Sequence, residues 1–199
     1  MGDEFFNNKY HIASIRLSHW NYGWPSFYYV TICTKDRICN LGEIKNGDVY
    51  LLELGQIVFE CWLEIPKHFN NVKLDDWIIM PNHLHGIIEI VKDDNDLQKC
   101  RDRVYPVSTR GKFGHVGKKS LSSIINTFKG AVSRSCHKNN LAFQWQDNYY
   151  EHIIGNEEDY ARIKEYIALN PINWEKDRNN PKNFNNNFKL PKTIDQSLK

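Results

Sequence analysis

The chain predicts an α+β fold: one antiparallel sheet with helices packed on one face. Two observations carry that expectation. Strand-like and helix-like segments follow in the order β, α, β, β, α, β, α, and the middle two strands are separated only by Pro81 and Asn82. The helical segments are apolar on one side, so each needs a sheet to cover.

Each element has its own signal. Residues 27–33 (FYYVTIC) are β-branched and aromatic and read as a strand. Residues 35–50 are polar, with Gly42 and Asn46-Gly47 as turn signals. Leu54, Ile57, Val58, Cys61, Trp62 and Ile65 recur at helical spacing, with Pro66 near the end. Residues 72–80 form a second strand, broken by Pro81, which cannot donate to a ladder. Residues 83–91 return as its hairpin partner. Residues 92–118 are polar, basic and glycine-bearing and read as a long loop. Ser120 starts a helix with Leu121, Ile124, Ile125, Phe128 and Val132 on one face. Residues 143–154 are aromatic and extended. Asn156 caps a last helix, with Glu157, Glu158 and Asp159 in its first turn. That helix runs to Asn170, where Pro171 disfavours continuation. Residues 1–175 are expected to form one domain, and 176–199 an irregular, Asn-rich tail.

Composition narrows the class. The chain has 199 residues, 41% hydrophobic and 13% aromatic, enough for one core. No run approaches the ~18 apolar residues of a membrane helix, and the N-terminal residues lack the apolar stretch of a secretory signal. The five cysteines are odd in number and form no C-x-x-C pair, which argues against a disulfide framework or a thiolate zinc site. A cytoplasmic protein with reduced thiols is expected. Net charge is only +2, but Lys/Arg cluster between Lys99 and Lys138, opposed there by Asp102 alone. Such segregation suits a phosphate-binding surface, and Arg110, Lys112, Lys118, Lys119, Lys129 and Arg134 are its candidate DNA contacts.

The chemistry concentrates in PNHLHG (81–86). Side chains alternate along a strand, so His83 and His85 share one face while Leu84, Gly86, Ile88 and Ile90 take the other. Two imidazoles on one face can hold a metal ion. On the last helix Tyr166 and Asn170 stand four residues apart and so share a face. Asn170 offers a hard third ligand, and a set of two imidazoles and one amide oxygen suits Mg²⁺ or Mn²⁺. Tyr166 is the candidate nucleophile, because a metal-polarised phosphate is open to attack by a nearby phenol.

These segments resemble the single-tyrosine HUH transposases, and most closely the REP-associated tyrosine transposases. The matching stretches are YYVTICTKDR (28–37), IIMPNHLHGIIEI (78–90), SLSSIINTFKGAVSR (120–134), WQDNYYEHII (145–154) and EEDYARIKEYIALNPINW (157–174). The resemblance implies a ferredoxin-like fold, often dimeric. It implies cleavage of single-stranded DNA next to a hairpin through a 5′-phosphotyrosine link. It makes Tyr166 the nucleophile and His83, His85 and Asn170 the metal ligands. One departure is Gly155, where relatives tend to carry Arg in a His-Ile-Ile-Arg-Asn motif. Three other readings stay open: a hairpin DNA-binding protein without transposition, a replication initiator or relaxase, and a hydrolase of small phosphoesters.

Overall fold

A computed structural model describes residues 20–92 and 120–183. Four of the candidate DNA contacts, Arg110, Lys112, Lys118 and Lys119, lie outside the described residues, as does the loop they were expected to occupy.

The chain opens with strand β1 (Ser26–Cys33). A small hairpin follows, β2 (Gly42–Lys45) and β3 (Asp48–Leu51). It turns on Asn46 and Gly47, at φ 55° and 84°, the left-handed conformations that a tight two-residue turn requires. Then come α1 (Glu53–Leu63) and the single turn α2 (Ile65–His68), which has Pro66 in its first turn. The hairpin of β4 (Val72–Met80) and β5 (His83–Ile90) is next. After the undescribed segment lie α3 (Leu121–Lys138), β6 (Tyr150–Ile154) and α4 (Glu157–Leu169). The expected elements are present, and the β2–β3 hairpin is an addition within the stretch read as polar turns.

The main sheet is antiparallel in the order β4-β5-β1-β6. β5 runs beside β1, with His83 opposite Cys33 and His85 opposite Thr31. This is the ferredoxin-like arrangement: each helical crossover skips one strand and returns, leaving β5 and β1 in the centre.

One detail of the expected layering is corrected. α1 and α3 cover one face, where Tyr28, Val30, Ile32, Leu84 and Ile88 pack against Val58, Trp62, Ile124 and Phe128. α4 covers the other, where Ile163 and Ile167 pack on Tyr29, Ile87 and Ile154. Helices therefore lie on both faces. The reason is that α4 has an apolar stripe of its own, Ile163 and Ile167, and the second face offers Tyr29, Ile87 and Ile154 to cover it.

Two glycine and cap details fix this geometry. A Cβ on Gly86 would lie 2.6 Å from the Trp62 ring, so only glycine lets the indole sit flat on the sheet. Asn156 caps α4 by accepting from the backbone N–H of Asp159 at 2.8 Å, as its position predicts.

The packed body also continues past 175. Asp177, Asn179 and Asn180 are buried. A 3₁₀ turn at Trp174–Lys176 brings the chain back over the end of β5, with the Trp174 ring 6.0 Å from that of His83. Residues 176–183 are held here by asparagine side chains: Asn180 Nδ2 donates to the Trp174 carbonyl, Asn183 Nδ2 to that of Asp177, and Asn180 Oδ1 accepts from the Lys182 N–H.

Candidate functional site

The alternation of β5 does what its sequence predicts. Leu84 and Ile88 enter the large core beneath α1 and α3, and His83 and His85 project to the α4 side, essentially buried. Their rings meet at a centroid distance of 4.4 Å. Tyr166 on α4 stands over His85 at 5.2 Å between ring centroids. Asn170 lies one turn further on and is buried. Four of the expected site residues, His83, His85, Tyr166 and Asn170, are brought together in one place.

Asn82 determines where the protons sit. Its Nδ2 donates to the backbone carbonyls of Arg37, at 2.9 Å, and Asn179, at 2.7 Å. Its Oδ1 therefore faces Nδ1 of His83, 2.8 Å away, and Nδ1 must carry the proton. The Nε2 lone pair of His83 then points at Nε2 of His85, 2.9 Å distant. Behind His85, Nδ1 meets the hydroxyls of Tyr29 at 2.7 Å and Thr31 at 2.9 Å. A hydroxyl both donates and accepts. His85 can thus hold its proton on Nε2, bonding to His83, or on Nδ1, bonding to a hydroxyl. The second tautomer presents two Nε2 lone pairs side by side.

Burial keeps both rings neutral. Desolvation, with the adjacent His85 ring second, holds His83 well below the usual histidine range. Desolvation and the charge of Arg178 push His85 down to about 3. Neutral imidazole is the metal-binding form. Asn170 adds a further fact: its Oδ1 is buried without a hydrogen-bond partner, a costly state for an amide oxygen. Two convergent imidazole lone pairs and an orphaned carbonyl oxygen fit a divalent cation.

Tyr166 is protonated at neutral pH. Burial and then the Asp177 carboxylate raise its hydroxyl, against a hydrogen bond from Asn170 and the positive charge of Arg178.

The candidate DNA contacts within the described residues fare differently. The Lys129 ammonium donates to the carbonyls of Gln146 at 2.7 Å and Asp147 at 3.1 Å. It pins the turn that enters β6. Arg134 is exposed on α3, across the sheet from the histidines. Trp145 is buried among the core residues. Among the described residues, the charges of Arg37 and Arg178 reach His83, which charge counting over 99–138 does not reveal. Gly155 has nothing within 4 Å of a would-be Cβ, so the position has room for a larger side chain. His152 binds the Asp159 carboxylate at 2.7 Å and ties β6 to α4.

Asp177 is also missing from the sequence reading. Among the described residues it forms, with His83 and His85, the one His/Cys/Asp/Glu cluster whose ligand atoms all lie within 4.8 Å of one another. No periodic pattern marks it; its only cue is the run of turn-forming asparagines that follows.

Comparison with known proteins gives four findings. No family model matches the chain. An uncharacterized protein of Haemophilus influenzae is 44% identical over 172 residues, covering 85% of this chain and 93% of that one. The REP-associated tyrosine transposase of Escherichia coli is 24% identical over 100 residues, 50% of this chain and 44% of that protein, less than half its length. Among solved structures, a REP-associated tyrosine transposase bound to a REP hairpin superposes with a TM-score of 0.54 at 18% identity, covering 82% of this chain and 74% of that one. Its fold is shared.

Proposed function

We propose that this chain, which belongs to one family with the Haemophilus influenzae protein and shares its fold with a REP-associated tyrosine transposase, cuts and rejoins single-stranded DNA beside a hairpin. The observation that carries this reading is the seat of Tyr166, its ring 5.2 Å from that of His85 on a helix that also delivers Asn170. A structural tyrosine needs no pair of neutral, convergent histidines beneath it. Hairpin DNA as the partner is supported by the fold neighbour, which is bound to one.

In this mechanism the Tyr166 hydroxyl oxygen attacks the scissile phosphorus. The Tyr166 O–P bond forms, the P–O3′ bond breaks, and the phenol proton ends on the departing 3′ oxygen. The products are a 5′-phosphotyrosine and a free 3′-OH, and attack by a 3′-OH reverses the step without an external energy source. A divalent ion, Mg²⁺ or Mn²⁺, held by His83, His85 and Asn170 would neutralise charge building on the phosphate oxygens. Arg37 and Arg178 supply positive charge for the same phosphate. Thr31 and Tyr29 hold the His85 ring, and Asn82 holds that of His83, so neither imidazole has to reorganise as charge develops.

The test is covalent trapping. Labelled single-stranded hairpin DNA, taken from the sequence flanking the gene, is incubated with the protein and Mn²⁺ and run on a denaturing gel. A shifted band that needs metal and is absent from Tyr166→Phe is expected. A band that survives in Tyr166→Phe removes the nucleophile assignment and turns attention to Tyr150. A shift only on a native gel supports hairpin binding without chemistry.

A further inference from the structure

We propose that Asp177 is an additional ligand of the same metal site, so that the site is a His₂-Asn-Asp set closed by the segment after α4. The inference rests on the metal reading given above and extends it to a residue outside the two motifs.

The geometry argues for it in three steps. Asp177 Oδ2 lies 4.0 Å from Nε2 of His83, and the carboxylate is only 3% exposed. That separation is too long for a hydrogen bond, yet suits two atoms bound to a common ion placed between them, given metal–ligand bonds of about 2.0–2.2 Å. The orientation is also set in advance. Asp177 Oδ1 accepts the backbone N–H of Asn179, and Asn179 in turn offers its carbonyl to Asn82. The second oxygen is thereby left turned to the histidines.

Charge supplies the third step. A carboxylate buried beside two neutral imidazoles and an amide oxygen needs a counter-charge. Burial raises the Asp177 carboxyl above the usual range, outweighing the nearby charges of Arg178 and Arg37 and the hydrogen bond from the Asn170 side chain. Nε2 of His83, 4.0 Å from its inward oxygen, presents a lone pair to it. A divalent cation would draw on one ligand atom each from His83, His85 and Asp177, which lie within 4.8 Å of one another, next to an Asn170 whose Oδ1 has no hydrogen-bond partner. Two hard oxygens, one of them charged, weight the set toward Mg²⁺ and Mn²⁺ over a site of imidazole alone.

The experiment is Mn²⁺ titration of the DNA-free protein, followed by electron paramagnetic resonance of the unbound ion. Wild type, Asp177→Asn, Asp177→Ala and His83→Ala are compared, with thermal unfolding in EDTA to verify that each is folded. Wild type is expected to bind one equivalent, Asp177→Asn and Asp177→Ala to bind at least ~10-fold more weakly, and His83→Ala not to bind. Wild-type affinity in Asp177→Asn, with binding lost in His83→Ala, overturns the role of Asp177 and leaves the histidine site standing. Absence of a site in the wild-type protein overturns the metal reading and this inference together. If Asp177→Ala does not fold, the nearly isosteric Asp177→Asn carries the comparison.

Discussion

On the face covered by α1 and α3 the central strands present Tyr28, Val30, Ile32, Leu84 and Ile88 to a continuous apolar core. On the face covered by α4 the same two strands present Tyr29, Thr31, His83 and His85, with an apolar patch confined to the far end around Ile87 and Ile154. The two surfaces differ by one residue of register and share every backbone hydrogen bond. One face holds the domain together. The other places polar groups where water is largely excluded, at a cost the first face offsets.

The comparison can be broken most sharply by paired substitutions. Trp62→Ala, in the apolar core, is expected to cost about 3–5 kcal/mol of stability and to lose activity only as far as it unfolds. Tyr166→Phe is expected to leave the urea midpoint in place while adduct formation vanishes. A large stability loss in Tyr166→Phe would mean that the polar face is a core after all. Gly86→Ala comes next: its methyl would collide with the Trp62 ring, at a cost of about 1–3 kcal/mol, measured by urea unfolding. Unchanged stability would show that the indole can shift at no cost.

Acid should separate the faces further. Asp75 and Asp159 both anchor the α4 side. For each, burial raises the carboxyl, but hydrogen bonds outweigh it, from Tyr160 and Lys164 to Asp75 and from His152 and Arg162 to Asp159, and the net shift is downward. A carboxylate whose folded pKa is depressed gives stability that is present above its unfolded value and lost as pH falls through the folded one. Stability should therefore decline below about pH 4, and Asp159→Asn should flatten that decline; an unaltered acid slope in the variant would refute the assignment. The smallest effect is expected at the rim. Arg178→Ala should weaken hairpin DNA binding and reduce the slope of log K against log salt by about 1, whereas Arg134→Ala, across the sheet, should leave both unchanged for a short hairpin.

The uneven legibility of the chain follows from the same division. Strands and helices were readable because their apolar residues recur at fixed periods, and β5 showed its two faces in six letters. His83 with His85, and Tyr166 with Asn170, could be paired because regular elements convert spacing into direction. The β2–β3 hairpin escaped because strands of four residues are too short to display alternation. Asp177, and the part Asn82 plays, escaped for another reason: their positions depend on turn conformations and on bonds to distant carbonyls, which no local pattern encodes. For Lys129, composition records a charge without recording that its ammonium bonds to the carbonyls of Gln146 and Asp147.

The bond from Asn82 to Asn179 joins residues 97 positions apart, and it has a consequence in time as well as space. During synthesis the sheet can be completed once β6 has emerged and its second face once α4 has formed. The Asn82 amide that orients His83 is held by the carbonyl of Arg37 and by that of Asn179, and the second hold comes only when the chain has delivered Asn179 to the hairpin turn. Contacts between residues so far apart in sequence are slow to close. The second anchor of Asn82 is therefore among the late contacts of this domain.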